Sequence, residues 1–233
     1  MSKIVEPRTG FPLLIVGEDD QVTDIEYLMI ELYHRNDLIS LALQVSSAYL
    51  IKNKQIQNII NKYGLELDEE ELQYQKDISG IDFDKILLDS SITFRNFEQV
   101  GYEPFLEVSQ NTSEIKRLNT LAAFKYLQKE DFNAKLWEVA YVGTQLCGMV
   151  LGQVYAEKKL GTIQYIAVCD KFKGKKLGKK LFAKALSNLK NCGAEIYRDG
   201  TEPTNHPMLG LFEWLDCELI SHNMIFVGNG LKS

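Results

Sequence analysis

A run of fourteen residues carries the strongest chemical signal in this sequence: Val168-Cys169-Asp170-Lys171-Phe172-Lys173-Gly174-Lys175-Lys176-Leu177-Gly178-Lys179-Lys180-Leu181. β-rich residues lead into it. Leu177, Leu181, Phe182, Ala185, Leu186 and Leu189 then recur at the spacing of one helical face. The segment reads as a strand, a glycine-containing loop and the start of an amphipathic helix. A helix start offers N–H groups without intrahelical partners and about half a positive charge, which suits phosphate. Gly174 and Gly178 let an anion approach the backbone, and six lysines between 171 and 180 add point charges. A solvated basic helix face fits the same residues, and spacing alone leaves both readings open. No Gly-Lys-Ser/Thr follows the gap of a P-loop, and no Gly-x-Gly-x-x-Gly is present.

The elements that must position this loop follow from periodicity. Leu136–Val142 and Leu146–Tyr155 are strand runs joined by Gly143-Thr144-Gln145, a hairpin signal. Thr162–Val168 is a third strand, Ala194–Tyr197 a fourth, Pro207–Leu215 a short helix and Leu219–Val227 the last strand. Upstream, Ser91–Phe97 is β-rich, Glu98–Glu107 has helical spacing, and Asn111 with Glu114 caps a helix running to Leu127. Residues 1–90 read as a separate, mostly helical region. Thr23 with Glu26 forms a capping-box pattern, Asn36-Asp37 a second cap, and Ile39 through Tyr63 recur at roughly helical spacing. Asp68-Glu69-Glu70-Glu71 predicts a further short helix through Gln73, and Ser79–Ser90 a linker.

Composition sets the outer bounds. The 233 residues, 45% hydrophobic and 25% charged, are ordinary globular material with ample length for a core. No apolar run approaches the ~20 residues of a membrane-spanning helix, and no secretory leader is visible, so a cytoplasmic protein is expected. Cys147, Cys169, Cys192 and Cys217 lack metal-ligand spacing and read as buried small hydrophobes, with no metal site. The net charge of −6 is uneven: residues 1–90 hold 17 acids against 8 bases, and the remainder is net basic. That division predicts an N-terminal region of undetermined role over 1–90 and an anion-handling domain over 91–233.

The order strand, two helices, hairpin, strand, glycine loop, helix, strand, helix, strand resembles the GNAT superfamily of acyl-coenzyme A-dependent N-acyltransferases. The superfamily signature, Gln/Arg-x-x-Gly-x-Gly/Ala, falls on Lys173-Gly174-Lys175-Lys176-Leu177-Gly178. Lys173 replaces its Arg or Gln, Lys176 replaces its central Gly, and Gly178 matches. A second match, Asn205-His206-Pro207-Met208-Leu209, resembles the Asn-x-Pro-Met-Leu start of the next family helix. The resemblance covers about residues 91–227. It implies an α/β fold with a mixed central sheet flanked by helices, and acetyl-coenzyme A as acyl donor. It places the pyrophosphate on the N–H groups of Lys173, Gly174, Lys175, Lys176, Leu177, Gly178 and Lys179, and the pantetheine arm along Ile166 and Val168. The backbone N–H of Ile166 would polarise the thioester carbonyl. Asn205 and Met208 would complete the donor site.

Proton transfer is less defined. The family positions for a strand carboxylate fall on Thr162, Gln164 and Tyr165, and the usual tyrosine acid falls on Phe212. Glu138, His206 and Tyr165 are the candidate substitutes, each with a plainer reading as an exposed strand acid, a helix-start histidine or a core aromatic. The expected activity is direct transfer of an acetyl group from acetyl-coenzyme A to a primary amine in a ternary complex, the acceptor being a small molecule or a peptide. The alternative is a non-catalytic module of the same fold that binds acyl-coenzyme A or a protein. An acidic chain without base-stacking aromatics argues against nucleic acid and no membrane partner is expected. Residues 1–90 would cover the acceptor cleft or pair two copies as a homodimer.

Overall fold

The computed structural model describes residues 3–5, 13–16, 40–87, 92–113, 118, 120–128 and 132–229. Along the chain come β1 (Lys3–Val5), β2 (Leu13–Val16), β3 (Ser40–Ser46), α1 (Ser47–Lys52), α2 (Lys54–Lys62), β4 (Glu66–Asp77), α3 (Asp84–Leu87), β5 (Ile92–Asn96), α4 (Phe97–Val100), α5 (Glu103–Gln110) and α6 (Leu121–Leu127). There follow β6 (Trp137–Val142), β7 (Gln145–Tyr155), β8 (Leu160–Val168), α7 (Leu177–Asn191), β9 (Ile196–Thr201), α8 (His206–Trp214) and β10 (Glu218–Asn229). These elements make two units. One holds residues 1–74, 200–209 and 219–233, and the other 75–199 and 210–218.

In the larger unit the strand order is β9-β8-β7-β6-β5. β5 through β8 are antiparallel neighbours, and β8 and β9 are parallel. Strand alternation sends Trp137 and Glu138 to opposite faces. On the Trp137 face, Phe97, Phe105, Phe124 and Phe132 surround the indole with ring centroids 5.0–6.1 Å away. On the Glu138 face lies α7, whose Leu181, Phe182, Ala185, Leu186 and Leu189 are buried. Gly148 makes this approach possible: a Cβ there would collide with the Ala167 carbonyl and stand 2.7 Å from Leu181. The expected linker is packed instead. Ile78 and Phe83 are buried, and Ser187 and Lys190 of α7 bond the Asp84 carboxylate and the Ile81 carbonyl.

The smaller unit orders its strands β1-β2-β3-β10-β4. β2 and β3 are parallel, while β10 runs antiparallel to β3 over seven residue pairs, Ser40–Ser46 against Asn223–Asn229. Leu14, Val16, Leu43, Val45, Ile56, Ile59 and Phe226 form its core.

The fold is the expected mixed α/β arrangement, with differences. Residues 40–46 and 66–77 are strands where helices are expected, so the N-terminal region is not mostly helical among its described residues. Leu43 and Val45 alternate with half-buried Gln44, a two-residue period hidden within a helical-looking run. The acidic β4 is held by cross-strand partners: Glu70 lies 3.7 Å from His222, and Ser221 donates to Gln73. Tertiary pairing overrides the local capping pattern. Asn111 ends α5 rather than starting a helix, and α6 begins at Leu121 behind the cap of Thr120. The sequence signals at Thr23–Glu26 and Asn36-Asp37 lie outside the described residues. A single cut at residue 90 does not separate the units, because the last strand of the chain belongs with the first ones.

Candidate active site

β8 and β9 pair at only two positions, Leu160 with Ile196 and Gly161 with Tyr197. Beyond Gly161 the two parallel strands part. The backbone groups of β8 that face this gap follow from its other edge. The Cys169 N–H donates to the Cys147 carbonyl, and the register continues through Val168–Gly148, Ala167–Met149, Ile166–Val150 and Tyr165–Leu151. Antiparallel pairs alternate between bonded and non-bonded. Cys169, Ala167 and Tyr165 therefore bond β7, and Ile166 and Val168 aim their N–H and C=O groups into the gap. A register shift between Leu151 and Gly152 leaves Gln164 without an opposite residue, so a bulge sits at the mouth of the split.

The gap leads to the lysine loop. Asp170–Phe172 is one turn of 3-10 helix, tied down by the Asp170 N–H on the Asn111 carbonyl (2.9 Å). Phe172 is buried as the anchor, and the ammoniums of Lys171 and Lys175 lie 5.1 and 4.8 Å from its ring centre. Lys173 binds the Asp170 carboxylate at 2.8 Å. This hydrogen bond, more than those from Ser113, holds the Asp170 carboxyl below its ordinary range.

Lys176 precedes the fifteen-residue α7 as its N-cap, and no side chain caps that end. The first-turn N–H groups of Leu177, Gly178 and Lys179 have no intrahelical acceptor by helix geometry, and no acid occupies the first turn. A Cβ at Gly178 or Gly174 would meet nothing within 4 Å, which leaves room for a ligand. The expected donor set is narrower than the whole loop. The N–H groups of Lys173 and Lys175 are already used on the Asp170 and Phe172 carbonyls. Lys176 adopts φ 60°, so the lysine in place of the signature glycine stands in the left-handed region.

The acid–base candidates are not gathered together. Glu138 is 8% exposed and turned under α7. Asn188 donates to it at 2.8 Å, and Lys184 is 3.6 Å away. Burial raises its pKa, partly opposed by Lys184 and Asn188. Such a carboxylate holds helix to sheet and is not the exposed strand acid of the plainer reading. Tyr165 is half-buried on the opposite face from Ile166, in the row of Leu151 and Trp137. In the smaller unit, Asn205 caps α8 through the Met208 N–H at 3.2 Å, His206 is exposed, and Met208 is buried. Phe212 is fully buried, 6.4 Å from the Tyr197 ring.

From the sequence, Asp199 is one of four acids, with Glu98, Glu103 and Glu107, that could attract a cationic amine or be plain surface acids, and nothing there shows that it closes the split. The Asp199 carboxylate Oδ2 accepts the Ile163 N–H at 2.9 Å and the Tyr197 hydroxyl at 3.2 Å. Beside it, Gln164 and Tyr155 both donate to Gln153, at 2.6 and 3.2 Å. The available signal was an Asp-Gly pair within a strand run, two residues after a buried tyrosine. Among the described residues no cluster of metal-ligating side chains occurs, and no helix is long and apolar enough to cross a membrane.

The mixed sheet is split between two parallel strands, and an uncapped helix start stands at the open end. Residues 102–216 match the model of the acetyltransferase (GNAT) family. Similar solved structures include a GCN5-related N-acetyltransferase from Sphaerobacter thermophilus, at TM-score 0.65 and 13% identity, covering 99% of this chain and 78% of that one. A tandem GNAT protein of the clavulanic acid biosynthesis pathway matches at 0.61 and 14%, covering 96% and 77%. The glucosamine N-acetyltransferase region of a fungal multi-domain β-N-acetylglucosaminidase matches at 0.63 and 12%, covering 97% of this chain and 31% of that one. At these identities the likeness is one of fold. No curated protein sequence matches this chain.

Proposed function

We propose that this protein is an N-acetyltransferase that moves the acetyl group of acetyl-coenzyme A directly to a primary amine of a small molecule or peptide. The observation that carries the reading is the open edge of β8, with Ile166 and Val168 facing the gap, running into the uncapped start of α7. An extended pantetheine arm hydrogen-bonds along that edge as an added strand. The pyrophosphate then meets the N–H groups of Leu177, Gly178 and Lys179, with Lys171 and Lys175 supplying charge. The Ile166 N–H is fixed before the reaction, so it stabilises the oxyanion that forms on the thioester carbonyl without reorganisation. The neutral amine attacks that carbon, the C–N bond forms, and the C–S bond breaks to release the coenzyme A thiolate. Tyr165, next to Ile166, is the proposed proton donor to the thiolate; the acceptor nitrogen gives up its proton to solvent, from which the tyrosine is reprotonated. Glu138 is given no step, because Asn188 and Lys184 hold it under α7. Asn205, His206 and Met208 belong to the other unit and are given none.

Calorimetric titration of the full chain with acetyl-coenzyme A, and with free coenzyme A as control, tests the reading. Micromolar binding at one site per chain, lost in a Lys171→Glu/Lys175→Glu variant, is the expected result. Thiol release on adding an amine panel then establishes transfer. Absence of binding in a folded sample overturns the proposal. Phe212 in place of a tyrosine acid favours a second reading, a domain that binds acyl-coenzyme A without turnover. Binding without thiol release would select it.

A further inference from the structure

The smaller unit holds a strand pairing that the transfer chemistry does not use. We infer that residues 53–77 and 205–229 are two copies of one helix–turn–strand element, and that the pairing of their strands is a dimer interface closed inside one chain. Its partner is the internal copy, so the protein acts as a monomer with a single donor site; the count of donor sites rests on the acetyl-transfer reading.

The first support is a repeat in register. α2 is Lys54–Lys62 and α8 is His206–Trp214, while β4 is Glu66–Asp77 and β10 is Glu218–Asn229. All four boundaries are displaced by the same 152 residues (206 less 54). Asn53 and Asn205 cap the two helices, accepting the N–H groups of Ile56 and Met208 at 3.4 and 3.2 Å. Ile56, Ile59 and Ile60 are buried, and so are Met208, Leu211 and Phe212 in the same places. Each helix is followed by a left-handed residue, Gly64 at φ 59° and Asp216 at φ 54°. The next N–H, of Leu65 or Cys217, closes on the carbonyl of Ile60 or Phe212 at 2.9 Å in both. Such a turn is a common helix ending, but here it recurs between a nine-residue helix and a twelve-residue strand in both copies.

The second support is the symmetry of the pairing. β4 and β10 are neighbours, and their contacts run antiparallel: Leu65 beside Gly228, Glu70 beside His222 and Gln73 beside Ser221. Glu70 and His222 are themselves 152 residues apart (222 less 70), so equivalent positions face each other, 3.7 Å apart, as on a two-fold axis. Away from the axis the contacts come in equivalent pairs. A Cβ on Gly228 would meet Leu65 and the Tyr63 carbonyl, on either side of Gly64. Lys76, the equivalent of Gly228, bonds the carbonyl of Asp216, the equivalent of Gly64, at 2.8 Å. This is the isologous pattern of a homodimer, made by one chain. β3 occupies the other edge of β10, which leaves that strand no edge for a second molecule. The copies differ upstream, where each has a parallel strand pair, β2–β3 or β8–β9. The segment joining the second pair carries six lysines between 171 and 180, whereas residues 17–33 hold six acids and no Lys or Arg. Like charge repels a pyrophosphate, so the first copy supplies an interface and no second donor site.

Light scattering on the full-length protein tests the closed interface: one chain per particle at every concentration is expected, and a stable dimer overturns it. Exchange of the axial pair tests the two-fold relation. Glu70→His and His222→Glu place two histidines or two carboxylates opposite one another, and each is expected to lower Tm by roughly 1–4 °C. The double variant Glu70→His/His222→Glu rebuilds the pair with its members exchanged. Equivalent positions tolerate that exchange, so its Tm should return to within roughly 1 °C of wild type. Single variants that melt like wild type, or losses that add in the double variant, overturn the relation. Should a single variant fail to fold, the double decides alone: a wild-type Tm supports the relation, and an unfolded or lower-melting double overturns it. Titration with acetyl-coenzyme A counts donor sites. One per chain is expected, and two overturn the single-site assignment. No binding at all overturns the acetyl-transfer reading and the donor count with it, and leaves the interface to be decided by scattering and melting.

Discussion

Lys176 illustrates how one residue departs from its family pattern at a measurable cost. At φ 60° its Cβ is crowded by the backbone, which costs a side-chain-bearing residue about 1–2 kcal/mol. The signature glycine has no such penalty. Lys176→Gly is therefore expected to raise the stability of the full chain by about 1 kcal/mol, after the extra freedom glycine gives the unfolded state. A higher Tm in a thermal melt reads this directly. Affinity for acetyl-coenzyme A should not fall, because the donors offered at this end of α7 are backbone N–H groups. A lower Tm would show that the lysine stem or its charge contributes more than the strain costs. Glu138 shows the reverse relation between residue and role. The sequence offers it as a substitute acid–base residue, yet its burial against Asn188 and Lys184 spends it on joining α7 to β6.

At the scale of elements, β8 does most with least. Its outer edge bonds β7, and its inner edge separates from β9 after Gly161. Ile166→Pro removes the one N–H assigned to the thioester and no N–H of the β7 ladder, so the strand should tolerate it. The expected outcome is near-normal unfolding with kcat reduced by roughly a hundred- to a thousandfold, the usual loss for one oxyanion donor. Unchanged kcat would remove Ile166 from the mechanism. This edge is legible in the sequence, because the strand, loop and helix around 168–181 have clear periods and the role needs only backbone. The loop's donor set is legible in outline, but its turns consume the Lys173 and Lys175 N–H groups, a detail of φ and ψ that residue types do not encode. β3 and β4 escape a sequence reading for a different reason. Both are short of local strand signals, and their state is decided by β10, about 150 to 180 residues downstream. In the sequence Asp199 is one surface acid among many, since the Ile163 N–H and the Tyr197 hydroxyl that fix it meet it through tertiary structure.

The route of the chain through its two units sets a limit on what can be cut away. Residues 91–233 look self-sufficient: they contain the family match and are long enough for a core of their own. The strand pairing argues otherwise. β10 is the last strand of that segment, and its ladder partner over seven residue pairs is β3. Phe226 of β10 packs in a core with Leu14, Leu43, Val45, Ile56 and Ile59, all from the first sixty residues. A fragment of residues 91–233 therefore loses the partners of both edges of β10, β3 and β4, and exposes an apolar strand, a template for association. The fragment is expected to aggregate, or to remain soluble with β10 amides that exchange far faster than in the full chain. Hydrogen exchange on both proteins makes the comparison. Equal protection of Asn223–Asn229 in the two would show that β10 is stabilised without β3, and the N-terminal residues would then be an addition to the fold. Loss of protection would make them part of it, because β10, which lies beyond the residues of the family match, needs β3 and β4 to be a strand in a sheet.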